Sequence, residues 1–313
     1  MAHDISVVGL YIVDVLGRPI TEIPTGGGVE FIEEIRFTVA GTAGGTAVDC
    51  AKLGMKTWAI GAVGSDEKAE FLLNTLSRYG VDVSHMQRIQ DAQTSSTILC
   101  IQPSGERPAL HARGASDQFV WDREGMTGIF DAPFVHMGGT GLLRAMDGPP
   151  TVELLRQAKE KGCITSFDLV GARPETMMLV EPALPFVDYF MPSIEEAAIM
   201  SGRTQTEDIA KYFLDLGVRT CVLTMGAQGA VIVSPRELIR IPAFEVTVVD
   251  TTGCGDAFSA GFLAALKAGF DVEKAGRFAS AAGALVATGL GSDAGIIDFD
   301  HTAEAMMTLP IKG

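Results

Sequence analysis

"VVDTTGCGDAFSAGFLAAL", residues 248–266, sets a threonine pair, two glycines and an aspartate directly ahead of an apolar run. The preceding "FEVTVVD" (244–250) alternates as a strand does, whereas Phe258, Gly261, Phe262, Ala265 and Leu266 recur at helical spacing. "TTGCG" is therefore predicted to join a strand to a helix, with Gly253 and Gly255 allowing a tight turn. The amides of residues 253–256 then open a helix without intrahelical partners, which makes the turn an anion hole. Asp256 reads in two ways there. It can cap the helix and offset its dipole. It can also take a proton from a hydroxyl while the neighbouring N–H groups stabilise charge on a transferring phosphoryl group.

The same alternation of strand and helix runs through the chain. Short apolar runs stand at 5–10 (ISVVGL), 56–64 (KTWAIGAVG), 134–139 (FVHMGG), 163–169 (CITSFDL), 189–193 (YFMPS) and 220–226 (TCVLTMG). Near-continuous apolar strands belong to a parallel sheet covered on both faces. Between them "GGTAVDCAKLG", "AEFLLNTLSRYG", "TVELLRQAKEKG" and "TEDIAKYFLDLG" read as helices, each closing on a glycine. The fold class is doubly wound α/β. Residues 15–40 and 94–114 break the rhythm and read as paired strands with Pro/Gly/Ser turns, so they form either a small β lid over the crevice or an edge extension of the main sheet. The expected main domain is accordingly 1–14, 41–93 and 115–313. No internal repeat or low-complexity tract interrupts it.

With 313 residues, 47% of them hydrophobic and 20% charged, the chain can bury a core without disulfides. Cys50, Cys100, Cys163, Cys221 and Cys254 are scattered and never form CxxC, which argues against a disulfide framework or zinc cage and for a reducing, cytoplasmic setting. A net charge of -15 excludes the electrostatic footprint of a nucleic-acid binder. No apolar run reaches the length of a membrane span, and "MAHDISVVGL" has no secretory pattern. GxxxxGK[ST], HExxH and an early GxGxxG are absent, and the five histidines are isolated. "AFSAG" (257–261) has Ala257 where a nucleophile elbow needs glycine and lies inside the helix.

"DTTGCGDAFSAGF" resembles the C-terminal signature of the PfkB carbohydrate kinases, the ribokinase-like family, in which DTxGAGD supplies an anion hole and a catalytic base. "GLYIVD" (9–14) is similar to that family's opening strand with its substrate-binding aspartate, and "AGGTAVDCAKLGMKTWAIGAVGSD" (43–66) to its N-terminal signature. "GERPALHARGA", "MPSIEEA", "LTMGAQGAVIV" and "FASAAGALVATGLG" follow in the family's order. The resemblance implies an ATP- and Mg2+-dependent kinase. Asp256 is then the general base, and Gly253, Cys254 and Gly255 the anion hole. Asp14, Gly44, Gly45 and Asp49 bind the acceptor. Ser193, Thr224, Gly226 and Gly229 hold the nucleotide, Glu196 organises Mg2+ through its waters, and Asp250 with Thr252 matches a monovalent-cation (K+) position of several members.

The departures bear on the substrate. Asp49 stands where the family has asparagine, which removes an NH2 donor and disfavours an anionic acceptor. Ser193 replaces the asparagine of NxxE, which weakens or rebuilds the water network around Mg2+. "FDLVGARP" is a residue longer than the family's "DPNxR", so Asp168 and Arg173 are not carried over. Cys254 replaces alanine, and a thiol at a helix N-terminus is expected to have a lowered pKa. The acceptor is a neutral sugar or a nucleoside; Tyr11, Phe31, Phe37 and His111 are the candidates for a base platform. Asp49 and Ser193 also leave room for a catalytically weak metabolite-binding protein on the same fold. Lids of this kind pair into dimers in several relatives, which makes a homodimer a further expectation.

Overall fold

The computed structural model describes residues 3–104 and 106–312. In chain order the strands are β1 (Ile5–Gly9), β2 (Ile12–Arg18), β3 (Glu34–Ala40), β4 (Thr57–Val63), β5 (Asp82–Arg88), β6 (Ser96–Cys100) and β7 (Ala109–Ala112). They continue as β8 (Phe134–Thr140), β9 (Ile164–Leu169), β10 (Tyr189–Phe190), β11 (Thr220–Thr224), β12 (Ala230–Val233) and β13 (Leu238–Ile241). The helices are α1 (Thr42–Lys52), α2 (Glu67–Arg78), α3 (Pro149–Glu160), α4 (Met177–Val180), α5 (Ile194–Ser201), α6 (Thr206–Asp215), α7 (Cys254–Lys267), α8 (Val272–Ala287) and α9 (Phe299–Thr308).

The large sheet runs β13-β12-β11-β10-β9-β8-β1-β4-β5 and is parallel from β5 to β11, with β12 and β13 added as antiparallel strands. Its central strands are apolar on both sides because both sides are covered. Ile5 and Val7 join a core with Ala257 and Phe262 of α7, while Val8 joins the opposite core with Leu154 and Leu155 of α3. Expected helices α1, α2, α3 and α6 each stop two residues before Gly54, Gly80, Gly162 and Gly217. The doubly wound fold class read from the sequence holds.

The two segments that break the rhythm build a separate sheet, β3-β2-β6-β7, not an extension of the large one. Alternation divides its faces. Thr38, Asp14, Thr97 and His111 lie in register on the inner face, toward the body, and Phe37, Val15, Ile98 and Leu110 form the next row on the outer face. The boundary differs from expectation: β1 ends at Gly9 and β2 begins at Ile12, so Asp14 belongs to the small sheet rather than to the opening strand. The turn 10–11 is where the chain leaves one sheet for the other.

A second correction concerns residues 244–250, which are extended but form no strand of either sheet. Their partners are the chain end and the end of α8. Glu245 N–H donates to Pro310 O, and Val249 N–H to Ala287 O at 2.8 Å. The alternation of "FEVTVVD" therefore reflects a solvent-edged connection that leads into α7. Helix α7 is buried against α8 through small residues. A Cβ on Gly261 would come within 3.0 Å of the Ala279 Cα, a close approach that sets the helix axis and hence the position of its N-terminus.

Candidate active site

The N-terminus of α7 is held by a brace. Asp250 Oδ1 accepts from Thr252 N–H (3.0 Å) and the Thr252 hydroxyl (2.8 Å), and its Oδ2 accepts from Gly291 N–H (2.9 Å). Gly253 caps the helix with φ 81°, and a Cβ there would lie 2.4 Å from that of Ser292. No other residue fits the turn. Gly255 does not share this role: it sits inside the helix, and a Cβ on it would meet only open space. Among the described residues the N–H groups of Gly253, Gly255 and Asp256 have no hydrogen-bond partner, while Cys254 N–H reaches Thr251 O at 3.4 Å. Free amides at a helix start form an anion site.

Asp256 faces α1 across this opening. A Cβ on Gly45 would lie 2.7 Å from Asp256 Oδ2, and the Thr46 hydroxyl donates to Asp256 O at 3.3 Å. Burial pushes the Asp256 carboxyl up to about 7, with Glu196 adding to the rise and Arg107 opposing it. An aspartate that titrates there is matched to proton abstraction near neutrality. Asp14 reaches the same place from β2. It is buried, its Oδ1 has no partner among the described residues, and burial also pushes it up to about 7, aided by Asp256 and Asp250 and opposed by Thr97 and Arg107. Asp49, one turn beyond Gly45 on α1, is fully buried with neither carboxylate oxygen paired among the described residues. Burial raises its pKa well above the usual value; Asp256 and Asp293 add to the effect and Lys52 opposes it. Gly44 turns elsewhere, toward Val39 and Tyr11.

The nucleotide-side candidates gather at the ends of β10 and β11. A parallel bridge sets Ser193 beside Thr224. Gly229, φ 87°, admits no side chain, since a Cβ would sit 2.0 Å from Ile241 O; Met225 N–H donates to Gly229 O at 2.8 Å and closes the turn that contains Gly226. Ser193 caps α5 and exchanges hydrogen bonds with Glu196: Ser193 Oγ accepts from Glu196 N–H, while Glu196 Oε2 accepts from Ser193 N–H (3.0 Å) and Oγ (2.8 Å). Glu196 Oε1 accepts from Gly171 N–H at 2.9 Å. Both Glu196 oxygens are thus held, Oε2 by Ser193 and Oε1 by Gly171. Among the nucleotide-side residues, Glu196 is the one whose charge reaches Asp256.

Sequence reasoning missed three groups. Arg107, in the turn between β6 and β7, donates to the Thr252 hydroxyl at 3.4 Å and is the cation felt by Asp14, Cys254 and Asp256. Asp168, at the end of β9, is buried, and its pKa is raised well above the usual value by burial, then by Glu196 and Asp256. Arg36 of β3 pairs with Asp293 at 2.9 Å and with Leu290 O, tying the small sheet to the loop that also supplies Gly291. Two expectations are corrected. Burial pushes the Cys254 thiol up to about 12, outweighing the helix N-terminus, so it is not a low-pKa thiol. Tyr11 is fully buried with its hydroxyl on Val7 O, Phe31 is 91% exposed, and Phe37 lies on the outer face of the small sheet. Of the four platform candidates His111, bonded to the Thr97 hydroxyl, is the one on the inner face.

Comparison with known proteins agrees with the fold. Residues 2–298 match the pfkB family carbohydrate kinase. The chain is 26% identical over 279 residues to the ATP-dependent 6-phosphofructokinase of Thermoanaerobacterium thermosaccharolyticum, covering 87% of this chain and 84% of that one. It is 27% identical to the ribokinase of Haemophilus influenzae, covering 87% and 88%. The structure of Arabidopsis thaliana ribokinase complexed with ribose and ATP superposes with a TM-score of 0.81 at 22% identity, covering 98% of this chain and 99% of that one. With the motif, the fold and the family match in agreement along the chain, the protein belongs to the pfkB family of carbohydrate kinases.

Proposed function

We propose that this enzyme transfers the γ-phosphoryl group of ATP to a hydroxyl, a primary one, of a sugar. The observation that carries the reading is Asp256, a carboxylate raised to about 7 on the first turn of α7, beside free amides and against Gly45 of α1. Asp14 and Asp49 hold the acceptor hydroxyls. Asp256 takes the proton from the attacking hydroxyl while the amides of Gly253 and Gly255 receive the phosphoryl oxygens. The Cys254 amide completes that hole once it turns from Thr251. Ser193, Thr224, Gly226 and Gly229 support the nucleotide. The small sheet acts as a lid that excludes water and carries Arg107 over the site.

The acids at the nucleotide end suit a dication. Glu196 raises the pKa of both Asp168 and Asp256, and no three His, Cys, Asp or Glu side chains among the described residues converge into a metal cage. Such a site fits Mg2+ brought on nucleotide phosphates with most of its waters, faced by Asp168 and Glu196. When bound, it supplies charge neutralisation to the phosphates. At the monovalent-cation position, Asp250 Oδ1 accepts two protein hydrogen bonds and Oδ2 one, and we assign no step to K+.

The test is a panel of sugars and nucleosides screened by thermal shift and then by turnover. Asp256→Asn should lose roughly 100-fold or more in kcat, the usual size of general-base effects. Near-normal turnover in that variant refutes the assigned role. We also propose a homodimer through the lid. Phe37, Ile98 and Leu110, 54%, 51% and 68% exposed, align on its outer face with Ile35 beside them, an apolar row that a second copy would cover. Light scattering should give a dimer for the wild type and a monomer for Ile98→Lys; a wild-type monomer overturns the proposal.

A further inference from the structure

Three carboxylate oxygens in the acceptor half lack donors: Asp14 Oδ1, Asp49 Oδ1 and Asp49 Oδ2 have no partner among the described residues, and both side chains are more than nine-tenths buried. The cations nearby are engaged elsewhere. Lys52, on the turn of α1 after Asp49, gives its ammonium to Asp293 O and stacks over Tyr79 at 5.0 Å. Arg36 is held by Asp293 and Leu290, and Arg107 leans on Thr252. Buried polar groups in folded proteins are paired. The occupant of this site must therefore be rich in donors.

A neutral sugar would meet that need only in part. Its hydroxyls both give and accept, so an amide, which also does both, suits them. Asp49, which faces Asp256, has two oxygens without a donor among the described residues and no NH2 to give to a substrate acceptor. An ammonium group offers three donors and no acceptor, and its charge offsets the repulsion that Asp49 and Asp14 each feel from Asp256. We propose that Asp49, assisted by Asp14, makes this kinase select an acceptor bearing a protonated amine: an amino sugar in preference to the corresponding neutral sugar. The inference rests on the phosphoryl-transfer reading and narrows its acceptor. It also explains why aspartate stands at a helix position where an asparagine of the same shape would bind a polyol.

Matched pairs test it: glucosamine with glucose, galactosamine with galactose, and 1-amino-1-deoxyfructose with fructose, titrated calorimetrically at pH 7 into wild type and Asp49→Asn. At least one amine should bind wild type about tenfold or more tighter than its hydroxyl partner, the scale of one charge-assisted hydrogen bond. In Asp49→Asn that ratio should fall to near one. Circular dichroism, with ATP binding as a second check, confirms that the variant is folded. Equal binding within every pair, absence of binding included, overturns the proposal, and so does a ratio unchanged by the substitution. Phosphoryl transfer measured on the same pairs separates the two readings. Turnover without amine preference refutes the selectivity and leaves the kinase intact; amine preference without turnover supports the selectivity and refutes the kinase.

Discussion

The contact between Gly45 and Asp256 is the most direct way to ask whether the two halves of the site form one catalytic unit. In Gly45→Ala the new Cβ would lie 2.7 Å from Asp256 Oδ2, 3.0 Å from its Cβ and 3.2 Å from its Cγ. Ordinary contact begins near 3.4 Å, so the carboxylate must retreat by about 0.7 Å. Because the Cβ is also too close, rotation of the side chain cannot absorb the whole displacement, and α7 must move. Misplacing a reacting group by ~1 Å costs on the order of 100-fold in rate. Stability should change far less. Alanine favours a helix interior over glycine by about 1 kcal/mol, which offsets part of the roughly 1–3 kcal/mol of overpacking. The expected signature is kcat lower by about one to two orders of magnitude with a nearly unchanged Tm. Gly44→Ala is the control, since its Cβ would meet Val39 at 3.3 Å and Tyr11 at 3.5 Å and not the acid. Turnover should stay close to wild type there. Full activity in Gly45→Ala, or equal losses in the two variants, would refute the reasoning.

The pH dependence carries a second prediction. Asp256 must be deprotonated to act, so kcat/KM should rise with pH through about 7, as a macroscopic value shared with Asp14. Arg107 favours the charged form of Asp256; Arg107→Ala should therefore move that rising limb to higher pH, and an unmoved limb would remove Arg107 from the site. Arg36→Ala should free β3 from the 290–293 loop, which hydrogen exchange would detect as faster exchange in β2 and β3; the cost in stability should be about 1–3 kcal/mol, as for a lost charged hydrogen bond to the buried Asp293. Unaltered exchange would mean that the small sheet is held by other contacts.

Much of the fold is written in local pattern. Strands covered on both faces are apolar throughout, so β1, β4, β8, β9 and β11 are readable from composition alone. "TTGCG" is readable because only glycine tolerates the cap at 253. What local pattern does not distinguish is an alternating strand from an alternating solvent-edged connection, hence residues 244–250. Arg107 lies within one of the matching motifs, but its reach to Thr252 spans 145 residues of chain and exists only once the small sheet is in place. The Cys254 thiol shows the same limit in electrostatic form. The helix start that lowers its pKa is local and visible, whereas the burial that raises it is tertiary. A one-residue length difference obscures Asp168 in the sequence, yet the end of β9 places it beside Asp256 regardless of how the following loop is spaced.

The acids that serve the reaction weaken the fold, and the sign of that effect is testable. Asp14 is 4% exposed and is pushed from its ordinary 3.8 up to about 7. A carboxyl raised on folding binds its proton more tightly in the native state, so it contributes fully below about pH 4 and its contribution is lost as pH rises through 7. At about 1.4 kcal/mol per pH unit the charged form costs up to about 4 kcal/mol by pH 8, before relaxation. Asparagine in its place keeps the shape and removes the charge. Asp14→Asn should therefore raise stability by about 1–3 kcal/mol at pH 8 and leave it almost unchanged at about pH 3.5, below the ordinary value of 3.8, where Asp14 is mostly protonated in the folded and unfolded chain alike. Activity should fall in the same variant, because the acceptor loses a charged partner. Chemical denaturation at the two pH values measures both limbs. An equal gain at both would mean that the substitution improves packing rather than relieving charge, and no gain at pH 8 would mean that Asp14 is stabilised by a partner other than the acceptor it is placed to bind.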